Sequence, residues 1–164
     1  MNQVVVKQEK SGYQIVEAYK SLRTNLQFCG EDKKVIAITS CTPNEGKSSV
    51  SMQLGISLAE IGKRVILIDA DLRKSVLLGR TKTEKSVRGL AHFLSGQASL
   101  EDVICATNIK NFYMIYSGPF PPNPAELLGG KNFRSLLNAL RKVYDYVIVD
   151  TPPLGSVIDS AIVA

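Results

Sequence analysis

Four short runs of nearly unbroken apolar residues limit what this chain can fold into: "KVIAIT" (34–39), "RVILIDAD" (64–71), "NFYMIYS" (111–117) and "YDYVIVD" (144–150). A strand with one wet face alternates apolar and polar residues, whereas a strand covered on both faces is apolar at every position. Their Val, Ile and aromatic content therefore predicts buried strands. Helical periodicities lie before and between them. Val16, Tyr19, Leu22 and Leu26 recur at helical spacing from Tyr13, predicting an amphipathic helix that ends near Gly30. Met52, Ile56, Leu58 and Ala59 predict a second helix stopping at Gly62, and residues 86–105 read as two short helices around "SGQAS". Asn123, Pro124 and Glu126 take the N-cap, N1 and N3 places of a helix running to about Leu140. Strands alternating with helices indicate an α/β fold, a parallel sheet with helices on both faces. Ligands of such sheets bind beyond the carboxyl ends of the strands.

That rule brings three segments to one rim. After the first run comes "CTPNEGKSSV" (41–50), which nearly spells the phosphate-cradling loop G-x-x-x-x-G-K-[ST], with Cys41 in place of the first glycine. A small Cys is tolerated there if the local φ is negative. Backbone N–H groups from Asn44 through Glu45, Gly46, Lys47 and Ser48 to Ser49, opening a helix, suit phosphate oxygens, and Gly46 lets the backbone come close. Lys47 supplies a full charge for the β and γ phosphates, and the Ser48 hydroxyl is placed to ligate Mg²⁺. The second and fourth runs end in acids. Asp150 is expected to hold the metal from the opposite side, and Asp69 and Asp71, two apart in an extended segment, direct both carboxylates to one side. Paired acids there can serve Mg²⁺ and accept a proton from an attacking hydroxyl, although acids after a strand also cap following helices.

Composition narrows the class. With 164 residues, 45% hydrophobic and 21% charged, the chain fits one globular domain with a sizeable core. The formal charge of +5 is scattered, with no basic tail, so no nucleic-acid partner is expected. Cys29, Cys41 and Cys105 lack paired spacing, pointing to reduced thiols, and neither a signal peptide nor a bilayer-length apolar run is present. Residues 1–12 read as a polar N-terminal arm that orders only on a partner, and 13–164 as the nucleotide-binding domain. The lone His92 and the scattered tyrosines (Tyr13, Tyr19, Tyr113, Tyr116, Tyr144, Tyr146) are expected to serve structure.

At "VILIDADLRKS" and "VIVDTPP", with "EAYKSLRTNLQF" upstream and "GPFPPNPAELL" between, the sequence resembles the cytoplasmic bacterial tyrosine kinases of capsule and exopolysaccharide biosynthesis. The resemblance runs from about Glu17 to the last residue. It implies a P-loop NTPase-like fold, ATP and Mg²⁺ as cofactors, and phosphoryl transfer to tyrosine, including autophosphorylation. Lys47, Asp69 and Asp71 would be the catalytic residues, and Ser48, Asp71 and Asp150 the metal ligands. Where the family carries an E-x-x-R-x-x-R helix that joins subunits into a ring, this chain has Glu17, Lys20 and Arg23. Lysine lacks arginine's bidentate fork, and the plainer reading is an intrahelical Glu–Lys pair. The family's domain continues past "DSAIVA" to a tyrosine-rich tail phosphorylated in trans, so this chain is expected to be a fragment, incomplete at the C-terminal end of the sheet. The resemblance also implies a cytoplasmic location, recruitment to the inner face of the membrane by a transmembrane polysaccharide co-polymerase-like adaptor, and a cognate phosphatase.

Two other readings stand beside the kinase. One is a nucleotide-switched ATPase of the partitioning and division-site type, acting on DNA or membrane. Those proteins have a second lysine near the start of the loop, where "SCTPNEGKS" has only Lys47. The other is a nucleotide-binding scaffold without chemistry.

Overall fold

All four apolar runs form strands, and the pairing between them sets the site. The computed structural model describes residues 1–6, 13–28, 35–38, 47–71, 81–83, 88–118 and 122–151. In chain order the elements are β1 (Asn2–Val6), α1 (Tyr13–Phe28), β2 (Val35–Ile38), α2 (Lys47–Glu60), β3 (Val65–Asp69), β4 (Thr81–Thr83), α3 (Leu90–Leu94), α4 (Leu100–Val103), β5 (Cys105–Thr107), β6 (Phe112–Ile115), α5 (Pro124–Leu128), α6 (Lys131–Val143) and β7 (Tyr146–Asp150). The described strands make one sheet in the order β2-β7-β3-β6-β5-β1-β4.

The two central strands, β3 and β7, are buried at every residue, as their continuous apolar sequences require. Successive side chains point to opposite faces. Ile66, Ile68, Val147 and Val149 pack with Leu90, Leu94, Phe133, Leu136 and Leu140 of α3 and α6. Val65, Leu67, Met114, Tyr146 and Ile148 pack with Met52, Leu54, Ile56 and Leu58 of α2. Helices thus cover both faces, and each large side chain withdrawn from water in these layers contributes about 1.5–3 kcal/mol. Helix α2 stops where Gly62 takes φ +86°, its N–H donating to the Ala59 carbonyl at 3.0 Å.

The sheet is mostly parallel, as expected: β2, β7, β3 and β6 run parallel, with antiparallel pairs of β5 with β6 and β1 with β4 on the other side. Three expectations need correction. The run at 34–39, read as a buried strand, forms β2 at the edge of the described sheet, where its residues alternate between exposed and half-buried. Residues 2–6, read as part of a polar arm, form β1, because Val4 and Val6 alternate inward while Val5 stays half exposed. The Val6 N–H also donates to Asn108 Oδ1 at 2.7 Å, tying the strand to a segment far along the chain. The helix expected from Asn123 to about Leu140 is two, α5 and α6, interrupted at Gly129 and Gly130, where the Gly130 N–H donates to the Leu127 carbonyl. Its start is as read: Asn123 Nδ2 donates to Glu126 Oε2 at 3.3 Å and the Asn123 carbonyl accepts from the Leu127 N–H.

The two short helices around "SGQAS" are α3 and α4. Ser99 caps α4 in a reciprocal box, its N–H donating to Asp102 Oδ2 at 3.0 Å and its hydroxyl accepting from the Asp102 N–H at 3.4 Å. The Ser99 N–H, followed by its hydroxyl, holds the Asp102 carboxyl below its usual range. His92 is structural, accepting the Gly89 N–H on Nδ1 at 2.9 Å. Tyr113 and Tyr144 pack edge to face at 5.4 Å, with the Arg64 guanidinium over both rings.

Candidate nucleotide site

The site grows from the carboxyl ends of three neighbouring parallel strands. β7 lies between β2 and β3, and its register sets Asp150 beside Ile38 on one side and beside Asp69 on the other. Ile38 is the last residue of β2, immediately before the segment leading to the glycine-rich loop, and Lys47 is the first residue of α2. Chain segments more than a hundred residues apart in sequence therefore end at one rim, as the strand-end rule requires.

Alternation along the strands places the acids. Asp69 follows Val65 and Leu67 at spacing two, and Asp150 follows Tyr146 and Ile148, so both lie on the side of the sheet packed by α2. The loop-bearing helix and the carboxylates thus share one face of the rim. Asp69 and Asp150 are each 1% exposed and Asp71 is 8% exposed. Carboxylates at this depth need hydrogen-bond, charge or metal partners. Asp69 Oδ1 accepts the Asp71 N–H at 3.2 Å, a side-chain-to-backbone bond of the Asx-turn type at the end of β3.

The strand ends are fastened together. The Ala70 N–H donates to the Asp150 carbonyl at 3.0 Å, and the Thr151 N–H and hydroxyl both donate to the Ile38 carbonyl, at 3.0 and 2.7 Å. Thr151 is a residue the sequence did not single out. A threonine after a strand-ending aspartate carries no local signal, and its partner lies 113 residues away.

Cys41, Asn44, Glu45 and Gly46 lie outside the described residues. Lys47, Ser48 and Ser49 are described as the first turn of α2, which puts the loop lysine and its neighbours at a helix N-terminus on this rim. Among the described residues, no three His, Cys, Asp or Glu side chains gather into a set that could by itself hold a metal ion. The described acids present buried carboxylate oxygens, a donor type that suits a hard cation. Mg²⁺ commonly keeps several waters and shares its coordination with one or two carboxylates and the substrate phosphates, so a ready-made protein cage is not needed.

The residues expected to join subunits divide. Glu17 and Lys20 form an exposed ion pair at 3.6 Å within α1, as the plainer reading expected. Arg23 turns inward, its Nη1 donating to the Ser57 carbonyl at 3.0 Å and lying 3.3 Å from the Ser57 hydroxyl, and so ties α1 to α2. Cys105, the cysteine among the described residues, is buried, and burial pushes its thiol up to about 11, which leaves it inert. No described helix is long and apolar enough to cross a membrane.

Comparison with known proteins agrees with this geometry. The AAA domain family matches residues 33–164. The tyrosine-protein kinase CpsD of Streptococcus agalactiae is 45% identical over 148 residues, covering 90% of this chain and 65% of its own length. The chain therefore spans about two thirds of that relative. The kinase domain of the Escherichia coli tyrosine kinase ETK superposes with a TM-score of 0.82 at 39% identity, over 90% of this chain and 58% of that one. The kinase domain of VpsO does so with 0.80 at 33% identity, over 91% and 73%. The septum site-determining protein MinD of Pyrococcus horikoshii, solved with Mg-ADP, is more distant, at 0.62 and 26% over 79% and 54%.

Proposed function

We propose, from the premise that this chain belongs to the bacterial tyrosine-kinase family of AAA-domain proteins, that it binds ATP with Mg²⁺ and transfers the terminal phosphoryl group to tyrosine in the control of capsule or exopolysaccharide synthesis. The observation that carries the reading is the register of β2, β7 and β3. It sets Asp150 between Ile38, at the root of the loop segment, and Asp69, on the face of the sheet where α2 begins.

In this reading the backbone from Asn44 to Ser49 and the Lys47 ammonium hold the phosphates, the first through N–H dipoles at a helix start and the second through its charge. Ser48, Asp71 and Asp150 would hold Mg²⁺, which when bound neutralises charge developing on the phosphoryl oxygens. Asp69 and Asp71, both buried at the rim, orient the acceptor hydroxyl and take its proton. Recruitment by a transmembrane adaptor and assembly through the exposed Glu17–Lys20 side of α1 belong to the same proposal.

The test is titration of the chain with an ATP analogue and Mg²⁺, together with ATP and an added tyrosine peptide, read as phosphotyrosine and as free phosphate. Lys47→Met is expected to abolish binding or transfer, and unchanged affinity with unchanged transfer in that variant would sink the assignment. Free phosphate without phosphotyrosine would favour the division-site ATPase reading instead.

A further inference from the structure

Thr151 makes one more bond to the root of the glycine-rich loop than the sheet requires. Its N–H donates to the Ile38 carbonyl at 3.0 Å, which is the bond that parallel pairing of β2 with β7 calls for. Its hydroxyl donates to the same oxygen at 2.7 Å. A valine would suit a buried strand end equally well in shape and would keep the first bond, so the hydroxyl is not explained by the fold. Thr151 is 1% exposed, and a hydroxyl at that depth must find an acceptor. The acceptor it has is the last carbonyl of β2.

The position of that carbonyl gives the extra bond its consequence. The Ile38 C=O is the last carbonyl of β2, so two donors on that one oxygen hold the end of β2 to the end of β7. On its other side β7 is fastened to β3, because the Asp150 carbonyl accepts the Ala70 N–H at 3.0 Å. Asp150 therefore sits between two clamps, one to the segment carrying Asp69 and Asp71 and one to the segment leading to Lys47.

We propose that Thr151 is a positioning residue for the nucleotide site: its hydroxyl locks the root of the loop to the strand end that carries Asp150, so that phosphate-binding and metal-binding groups are presented at a fixed separation. The inference rests on the nucleotide-site reading above. It identifies a residue that touches neither phosphate nor metal and acts through the backbone of Ile38. Small displacements of groups that must meet one ligand together carry large penalties, because the ligand cannot satisfy both at once.

The experiment measures Mg-ADP affinity by calorimetric titration, and melting temperature without nucleotide, for the unaltered chain, Thr151→Val and Thr151→Ser. Valine removes the hydroxyl but keeps the N–H and the branched shape, and is expected to weaken binding about tenfold or more with little change in the nucleotide-free melting temperature. Serine restores the donor and is expected to bind within about twofold of the unaltered chain. Equal affinity of the valine variant and the unaltered chain would overturn the clamp, as would a serine variant as weak as valine, since the methyl group would then be what matters. If Thr151→Val does not fold, Thr151→Ser is compared with Thr151→Cys, whose thiol is a weak donor; cysteine binding as well as serine would likewise overturn it. Absence of binding by the unaltered chain would reject the nucleotide site itself, and with it the clamp.

Discussion

Gly55, in the middle of α2, lies close against the side chain of Phe112 in β6. A Cβ added there would stand 2.5 Å from Phe112 Cε1, 3.2 Å from Cζ and 3.4 Å from Cδ1. Phe112 is 1% exposed, and its backbone is fixed in β6, with its N–H on the Ile109 carbonyl and its own carbonyl accepting from Thr107 Oγ1 at 2.7 Å. The ring has little room to move away. Two effects therefore compete in Gly55→Ala. Helix propensity favours alanine by about 1 kcal/mol, and overpacking a closed core costs about 1–3 kcal/mol. The expected net is a loss of roughly 1 kcal/mol, or about 2–4 °C in melting temperature for a chain of this size. Urea and thermal unfolding measure it, and Phe112→Leu supplies the control. If the clash is the cause, the double variant loses less than the sum of the single variants, because the shortened side chain vacates the space the methyl needs. Because α2 begins at Lys47, pushing it off the sheet is also expected to weaken nucleotide binding. A Gly55→Ala chain more stable than the original by the full helix-propensity gain, or additive losses in the double variant, would refute the close-packing argument.

Alanine at Asp69 or at Asp71 is expected to lower phosphoryl transfer at least about a hundredfold, the scale of a lost general base, while nucleotide affinity falls much less; single-turnover transfer set beside a binding titration separates the two, and full activity in both variants would reduce the pair to turn-forming acids. In a chain carrying Cys29→Ser and Cys41→Ser, Cys105 is expected to resist a thiol-labelling reagent at pH 8 until urea unfolds the protein. Burial raises its folded value from the ordinary 9.0 to about 11, so its contribution to stability is complete below about pH 9 and is lost as pH rises toward about 11. Rapid labelling of the native chain would contradict the burial.

Local sequence was enough for elements whose partners are dictated by composition. The runs at 64–71 and 144–150 could only be central strands, and an acid closing each is legible because interior positions do not otherwise tolerate it. The strands with no sequence signal, Thr81–Thr83 and Cys105–Thr107, are three residues long; the first pairs with β1 and the second lies between β1 and β6. β1 itself looked like a polar arm because its register with Cys105 is set about a hundred residues away, and neither segment carries a signal alone. The break before α6 was legible: Gly129–Gly130 is a stop signal that the apolar periodicity on either side outweighed. At the site, the carboxylates could be named from their strand ends, whereas the Thr151 bond and the inward turn of Arg23 depend on tertiary neighbours that no local pattern encodes.

The strand order has a consequence for how such a chain comes off the ribosome. β2, at residues 35–38, emerges early, yet its partner in the described sheet is β7, at 146–150. Until that segment is free, β2 lacks the strand that pairs with it in the described sheet. Helix α2 and β3 can form and collapse in the meantime, but the strand they must flank arrives about a hundred residues later, a high-contact-order step that closes slowly and leaves apolar backbone open to misassembly. On the proposed reading, the loop that would hold phosphate is among the first parts made and Asp150 is among the last to reach the rim, so nucleotide capture is expected to mark the end of folding rather than assist its beginning. Stalled nascent chains released before and after residue 151, tested for retention on immobilised ADP, would order these events directly.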